Sequence, residues 1–298
     1  MARVLITGAN GFTGRHLIDR LARDGHELFG LARNADEVQL PQVSRTWAAD
    51  LRDQSALAAM VAELRPERVV HLAAIANVAH DDLTDLYSTN IIGTRNLLQA
   101  LATAPRTPEA VLITSSANVY GNRGGVLTED LPPAPANDYG ITKVACENLA
   151  AVYGDRLPII TVRPFNYTGR GQSTDFLIPK IIAHVQRRAP SIELGNTNVA
   201  RDFSDVRSVV DAYARLLDSP AAIGAVLNVC SGRARTLAEV LELAEQLSGH
   251  RMEVRTNPGF ARANEVSSLC GSRARLEQVI GVVPVPDLAE TLGWMLND

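Results

Sequence analysis

Residues 1–14 restrict the fold of this chain more than any later stretch. Ala2-Arg3-Val4-Leu5-Ile6-Thr7 reads as a short apolar strand, and Gly8, Gly11 and Gly14 follow it at G-x-x-G-x-x-G spacing. A helical pattern then opens, with Leu17, Ile18 and Leu21 on one face. Strand, glycine turn and helix N-terminus make a phosphate cradle. The missing Cβ atoms let backbone approach a pyrophosphate, and the helix-end N–H groups point at it. The spacing departs from the G-x-G-x-x-G dinucleotide fingerprint, so the glycines taken alone also fit an ordinary tight turn.

The stretches downstream give the cradle a context. Glu27 to Leu31 reads as the next strand, and Arg33 follows it. NAD enzymes place a carboxylate near this strand end for the ribose hydroxyls, whereas a guanidinium suits the extra phosphate of NADP. A solvated loop arginine is the alternative. Asp50 follows an apolar stretch around Trp47 and is placed to accept from an adenine amino group. Residues 55–65 read as a helix. Arg68 to Leu72 is a continuous apolar strand, as in a buried parallel sheet, with His71 as a core histidine. Ala73 and Ala74 after it are small enough for a cofactor to lie against the backbone. Residues 82–104 read as one long helix containing Asn90.

Val111 to Thr114 is another strand, and it places Ser116 at a C-terminal strand end, where ligands of open α/β sheets gather. A loop rich in glycine and proline leads to Asn137-Asp138-Tyr139-Gly140-Ile141-Thr142-Lys143. Tyr139 and Lys143 are four residues apart and share one face if a helix starts here. Lys143 and Lys180 are the chain's only lysines. The pair reads either as a surface lysine beside a half-buried tyrosine, or as a phenol whose pKa a nearby ammonium lowers towards neutrality.

Alternating strands and helices over 1–164 predict an α/β fold, a doubly wound parallel sheet of Rossmann type, to which the chain returns at about 206–229. A smaller C-terminal α/β lobe takes about 165–205 and 230–298 and would bind substrate. With 298 residues, 46% apolar composition and a net charge of −4 spread along the chain, nothing suggests nucleic acid as a partner. No apolar run is long enough for a signal peptide or a membrane span, which implies no membrane partner and a cytoplasmic location. Cys146, Cys230 and Cys270 are widely spaced and imply neither a disulfide frame nor a metal site.

Taken in order, Gly8/Gly11/Gly14, Asp50, the Ser116 loop and Tyr139 with Lys143 resemble the extended short-chain dehydrogenase/reductase family. Arg163-Pro164-Phe165-Asn166, the Gly169–Gln172 loop, Arg201 to Val206, Asn228 to Gly232 and Arg262 to Val266 resemble its nucleotide-sugar branch, and within it the GDP-4-keto-6-deoxy-D-mannose reductases. The resemblance implies a triad of Ser116, Tyr139 and Lys143. Tyr139 would give a proton to the alkoxide that forms when hydride reaches a sugar carbonyl, Ser116 would bond the same oxygen, and Lys143 would hold the cofactor ribose and lower the tyrosine pKa. It also places Phe12, Leu51, Leu72, Ala73, Ala74, Asn90 and Arg163 at the cofactor. Arg201 and Arg262 would grip the substrate diphosphate; Asn166, Gln172, Phe176, Leu177, Lys180 and Glu265 would meet the nucleotide, and Asn118, Tyr120 and Tyr167 the hexose.

The activity so implied is NADPH-dependent reduction, with NADH possible, of a nucleoside-diphospho-4-keto-6-deoxyhexose at C4, yielding GDP-D-rhamnose. Alternatives are a dTDP- or GDP-6-deoxytalose-forming reductase, an NAD-dependent 4-epimerase, and an NADP-binding redox sensor. A 4,6-dehydratase needs an acid and a base beside the triad, where this chain has Ala117 and Asn118. Asn118 stands where relatives often carry an acid, Tyr167 where many carry His, and Ala263 replaces a Pro. The resemblance further implies a homodimer through a four-helix bundle of 82–104 and 139–153, in which Ile91, Leu98 and Val152 would face either the partner or the core.

Overall fold

A computed structural model describes residues 1–33, 40–76, 80–197, 199–257 and 268–297. Its elements run in the order β1 (Arg3–Thr7), α1 (Phe12–Arg23), β2 (Glu27–Ala32), β3 (Val43–Ala48), α2 (Gln54–Leu64), β4 (Arg68–His71), α3 (Leu83–Tyr87), α4 (Gly93–Ala102), β5 (Ala110–Thr114), β6 (Gly125–Leu127), α5 (Asp138–Tyr153) and β7 (Ile159–Pro164). The second half adds β8 (Asn166–Thr168), α6 (Leu177–Gln186), β9 (Ser191–Leu194), β10 (Ala200–Asp205), α7 (Val206–Leu217), β11 (Val226–Val229), β12 (Ala234–Thr236), α8 (Leu237–Ser248), β13 (Glu253–Thr256), β14 (Ser268–Gly271), α9 (Ala274–Ile280) and α10 (Leu288–Leu296).

Seven parallel strands form the main sheet in the order β3-β2-β1-β4-β5-β7-β11. The alternation of side chains along each strand builds two cores. Val4, Ile6, Val70, Leu112, Ile160 and Val162 pack under α1, α7 and α9. Leu5, Val69, Val111, Ile113 and Ile159 pack under α2, α4 and α5. This is the doubly wound Rossmann arrangement. The strand order reverses between β1 and β4, so their C-terminal ends splay apart and open the crevice that binds ligands in such sheets.

The smaller lobe carries the path β12-β10-β14-β6, with β8 on β10, and the pair β13-β9. Ile178, Ile182, Leu237, Val240, Leu292 and Met295 join α6, α8 and α10 in its core. Two exchanges cross the boundary drawn from the sequence. β6, from the first half, pairs with β14. Leu276, Val279 and Val283 return to the Rossmann core.

The expected single helix over 82–104 is interrupted. A π-helical turn, Ser88–Ile92, separates α3 from α4. The extra residue turns Asn90 inward, where its side chain accepts from Ile75 N at 2.8 Å and donates to Ile75 O at 3.1 Å and Thr142 Oγ1 at 3.0 Å. Helical periodicity does not show such a bulge, because a tertiary hydrogen-bond set creates it. No helix among the described residues is long and apolar enough to cross a membrane.

Candidate active site

The cradle forms where β1 runs out. Gly8 takes a positive φ of 69° and donates to Leu31 O at 2.8 Å, and Gly11 N donates to Gly8 O at 3.0 Å. A methyl at Gly14 would stand 2.3 Å from Gly8 O, so the helix start and the turn touch backbone to backbone. Gly11 caps α1 without any side-chain acceptor, and no acidic residue occupies the first turn. The free first-turn amides and the positive helix end therefore suit a pyrophosphate. Across the crevice, Ala73 N donates to Thr7 Oγ1 at 3.1 Å, and a methyl on Gly8 would lie 2.9 Å from Ala73 N. Leu72, Ala73 and Ala74 thus form the facing wall at the end of β4, with Ala73 and Ala74 half-buried.

Beyond the cradle, Asp50 accepts from Arg52 N at 2.8 Å and from its Nε at 2.9 Å. Arg52's hydrogen bonds hold the Asp50 carboxyl down to about 2, and the charge of Arg33 adds to this. Arg33 is exposed just past β2, so a guanidinium lies beside Asp50 at the end expected for adenosine. Leu51 is buried beneath it, and its carbonyl accepts from Asn96 Nδ2 at 3.2 Å.

The triad assembles at the C-terminal end of β5. Asn137 caps α5, its side chain accepting from Gly140 N at 2.8 Å. This start turns Tyr139 and Lys143 inward; they are only 8% and 4% exposed. Lys143 Nζ donates to Thr114 O at 2.9 Å and lies 5.7 Å from the centre of the Tyr139 ring. Ser116 opens a short 3-10 turn, Ala117–Tyr120, and its Oγ accepts from Asn118 N at 3.1 Å and Asn118 Nδ2 at 3.0 Å. Both donors occupy the oxygen's lone pairs, so the Ser116 hydroxyl is left with its hydrogen to donate, which in this state goes to Tyr139.

The electrostatics correct one expectation. Burial pushes the Tyr139 phenol up to about 12, and the hydrogen bond with Ser116 lowers it only in part. The Lys143 ammonium spends a bond on Thr114 and does not bring the phenol towards neutrality. Burial also pulls Lys143 down, while Cys146 and Glu147 act in the opposite direction. In this state Tyr139 is a protonated phenol across the neutral range, as a proton donor must be.

Other residues singled out from the sequence fall into three groups. Some lie on or against the smaller lobe and make bonds within the protein. Tyr167 turns its hydroxyl to Thr13 Oγ1 at 2.8 Å and stacks on Phe12 with ring centres 6.0 Å apart, so it braces the first turn of α1. Gln172 serves its own loop, bonding Thr168 Oγ1 at 2.8 Å and Tyr167 O at 3.1 Å. Asn166, Phe176, Leu177 and Lys180 lie on the lobe at or after β8, with Asn166 and Phe176 exposed and Lys180 Nζ donating to Glu193 O at 2.8 Å. Arg201 is half-buried on β10 and donates to Ala200 O at 2.9 Å.

A second group is structural. Arg163 does not face the cofactor crevice as expected. Its Nε and Nη2 bind Glu147 at 2.8 and 2.7 Å, and its Nη1 donates to Tyr120 Oη at 3.0 Å. A buried guanidinium needs a carboxylate, and that need fixes its direction. Tyr120 is likewise fully buried and donates to Asn228 Oδ1 at 2.7 Å, which removes it from the hexose. Asn90 clamps the β4 loop to α5. The third group, Arg262 and Glu265 with Ala263, lies outside the described residues. Among the described residues, no cluster of His, Cys, Asp or Glu could hold a metal ion.

Comparison with known proteins now decides the family. The model of the NAD dependent epimerase/dehydratase family matches residues 4–230. The chain belongs to that family. It is thus an extended short-chain dehydrogenase/reductase of the nucleotide-sugar branch, the enzyme family that the motifs resemble. Over 308 residues it is 34% identical to the GDP-6-deoxy-D-mannose reductase of Pseudomonas aeruginosa, covering 99% of this chain and 96% of that one. It is 31% identical over 280 residues to the GDP-6-deoxy-D-talose 4-dehydrogenase of Aggregatibacter actinomycetemcomitans, covering 94% and 91%. A solved structure from Burkholderia cenocepacia J2315, named only as a candidate epimerase, superposes with a TM-score of 0.94 at 47% identity, covering 99% of this chain and 97% of that one. RMD from Pseudomonas aeruginosa, solved with NADPH, gives 0.87 at 32% identity, with 100% and 98% covered.

Several residues at the site of this family member escape sequence reasoning. Asn137 carried a legible signal, an N-cap type just ahead of the Tyr139 helix. Glu147 stands four residues after Lys143, on the same helix face. Ser115 and Thr13 gave no signal, because their partners Glu147 and Tyr167 are distant in sequence.

Proposed function

We propose that the chain is an NADPH-dependent reductase of the C4 keto group of a nucleoside-diphospho-4-keto-6-deoxyhexose, with GDP-4-keto-6-deoxy-D-mannose as substrate and GDP-D-rhamnose as product. The observation that carries this reading is the Ser116–Asn118–Tyr139–Lys143 constellation. A protonated phenol and the Ser116 hydroxyl are hydrogen-bonded neighbours, and the residue beside them is an amide that cannot act as acid or base. Asn118 spends its Nδ2 on Ser116 at 3.0 Å and its Oδ1 on Asn137 Nδ2 at 3.2 Å. That chemistry supports proton delivery to a carbonyl oxygen and gives none of the water elimination that a 4,6-dehydratase performs.

The bound dinucleotide would supply the hydride. The protein's own part is then to hold and to protonate. Tyr139 Oη gives its proton to the carbonyl oxygen, Ser116 Oγ–H bonds the same oxygen, and Lys143 keeps a positive charge beside both. The unfilled amides of α1 and the close Gly8–Ala73 wall fit the cofactor pyrophosphate. Exposed Arg33 beside Asp50 supports the 2′-phosphate of NADPH over NADH. The RMD complex with NADPH and the two GDP-sugar relatives support the same reading. Substrate falls to the lobe of about 165–205 and 230–298, with Arg201 and Arg262 at the diphosphate, and the cofactor to 1–164 and about 206–229.

The talose-named relative favours a second reading, in which the same hydride arrives on the other face of C4 and gives GDP-6-deoxytalose. A homodimer through α3, α4 and α5 is supported by exposed Leu83, Ile92, Ile141 and Val152 and by a groove of about 470 Å³ lined by Leu83, Tyr87, Ile91 and Ile92. Leu98, by contrast, is a core residue. Light scattering tests the dimer, and a monomer at micromolar concentration would refute it. A panel of GDP-, dTDP-, UDP- and CDP-linked 4-ketosugars with NADPH tests the function. Oxidation of NADPH fastest with the GDP sugar is expected, and no oxidation with any member would reject the reductase.

A further inference from the structure

Three successive turns of one face of α5 meet Thr114, the last residue of β5, and the two residues that follow it. Tyr139 meets Ser116. Lys143 Nζ donates to Thr114 O at 2.9 Å. One turn further, Glu147 Oε1 accepts from Ser115 Oγ at 2.5 Å. The carboxylate is 11% exposed and is held from its other side by Arg163, itself 5% exposed, through two bonds of 2.8 and 2.7 Å. Arg163 is fixed in turn by Tyr120, which Asn228 on β11 holds at 2.7 Å. The lattice of bonds thus runs from the far strand of the sheet to the residue preceding Ser116.

We propose that Glu147 is a positioning residue of the catalytic centre, holding the Ser116 end of β5 against α5 and keeping a carboxylate one turn from the Lys143 ammonium. It rests on reading Ser116, Tyr139 and Lys143 as the reacting groups. The groups that face Lys143 are few. From β4 comes His71, which burial, aided by Lys143, holds neutral with its pKa lowered to about 3. From α5 come Tyr139, Cys146 and Glu147, from β5 the Thr114 carbonyl, and from β7 Arg163 on the far side of Glu147. Burial works against the Arg163 charge, but its bonds to Glu147 prevail and raise its pKa, so Glu147 is anchored by a permanent cation. Among these groups Cys146 and then Glu147 offset the burial of Lys143, and Glu147 is the carboxylate of the two.

The test uses the whole protein and the chain's two lysines. Lysine labelled with 13C at Cε gives two resonances, and Lys180→Arg assigns them. In Glu147→Gln the Lys143 titration midpoint falls relative to wild type while that of Lys180 stays. An unchanged Lys143 midpoint in folded Glu147→Gln would overturn the electrostatic half. On a substrate that wild type reduces, kcat falls by roughly 10- to 100-fold, with KM for the sugar and the NADPH dissociation constant within threefold, because the misplacement is felt in the transition state. Glu147→Asp restores the lysine midpoint but not kcat, since the shorter side chain cannot reach Ser115. Ser115→Ala leaves the ion pair intact and serves if Glu147→Gln does not fold. It lowers kcat several-fold without moving the lysine midpoint, and a wild-type kcat in Ser115→Ala would overturn the positioning half. If wild type itself reduces no ketosugar, the proposed function fails while the lysine titration still judges Glu147.

Discussion

Gly14→Ala tests the cradle most sharply. The new methyl would sit 2.3 Å from Gly8 O and 2.7 Å from Ala9 O, about 1.1 Å inside the 3.4 Å at which ordinary contact begins. Both neighbours are backbone in a turn pinned by Leu31 and Ala73, so the first turn of α1 must move away by about that distance. Overpacking of this kind costs about 1–3 kcal/mol. The helix preference of alanine over glycine returns up to ~1 kcal/mol. A net loss of up to about 2 kcal/mol lowers Tm by up to roughly 8 °C in a domain this large. Moving the helix end by ~1 Å also takes at least one amide off the pyrophosphate, and a bond to a charged group is worth about 1.5–3 kcal/mol. NADPH should therefore bind roughly 10- to 100-fold more weakly. Fluorescence titration and thermal melts read both quantities. Gly293→Ala in α10 is the control, because its methyl would meet only Leu247 Cδ2 at 4.0 Å. It should leave NADPH affinity alone and raise stability slightly. A Gly14→Ala protein that binds NADPH within threefold of wild type and melts no lower would refute the close approach.

Tyr139→Phe should lower kcat by at least ~100-fold while NADPH affinity stays within threefold, since the phenol delivers the proton and Lys143 remains in place; stopped-flow rates and cofactor titration check this, and retained turnover would remove Tyr139 from its role. Arg33→Ala should weaken NADPH by roughly 10-fold or more and NADH little, as expected for loss of one ion pair to a phosphate; equal losses would reject the 2′-phosphate contact. The folded Tyr139 and Tyr167 phenols are both raised by burial to about 12, above the ~10 of an unfolded chain. A raised folded pKa favours the native state fully below pH ~10, and the advantage is lost as pH rises towards 12. Denaturant midpoints should therefore fall between pH 9.5 and about 11.5, less steeply in Tyr139→Phe, and a flat profile would contradict the burial of these phenols.

The sequence carries the sheet well where burial is two-sided. Val4 to Ile6, Val69 with Val70, and Val111 to Ile113 read as strands because both faces are apolar, and a parallel sheet is their natural setting. It carries β3 poorly. Val43–Ala48 is an edge strand with largely exposed side chains, so only Trp47 and its neighbours hint at it. The π-helical turn at Asn90 is illegible for the same reason that it exists, a set of bonds to Ile75 and Thr142 that lies outside the local pattern. Within the site, Tyr139, Lys143 and Ser116 are legible because helix spacing and a strand end bring them together. The roles of Tyr167 and Arg163 are not. A phenol has a hydroxyl to satisfy and Thr13 satisfies it; a buried guanidinium seeks a carboxylate and finds Glu147. Residue type alone does not say which partner the fold supplies.

The central claim is net hydride transfer from NADPH to C4 of a GDP-linked 4-ketosugar. NADPH carrying deuterium at both nicotinamide C4 positions, incubated with GDP-4-keto-6-deoxy-D-mannose, tests it directly by proton NMR of the product. The account predicts one NADPH oxidised per sugar, deuterium at sugar C4 and the ring couplings of GDP-D-rhamnose. Unconsumed NADPH, or a product without deuterium at C4, would contradict it.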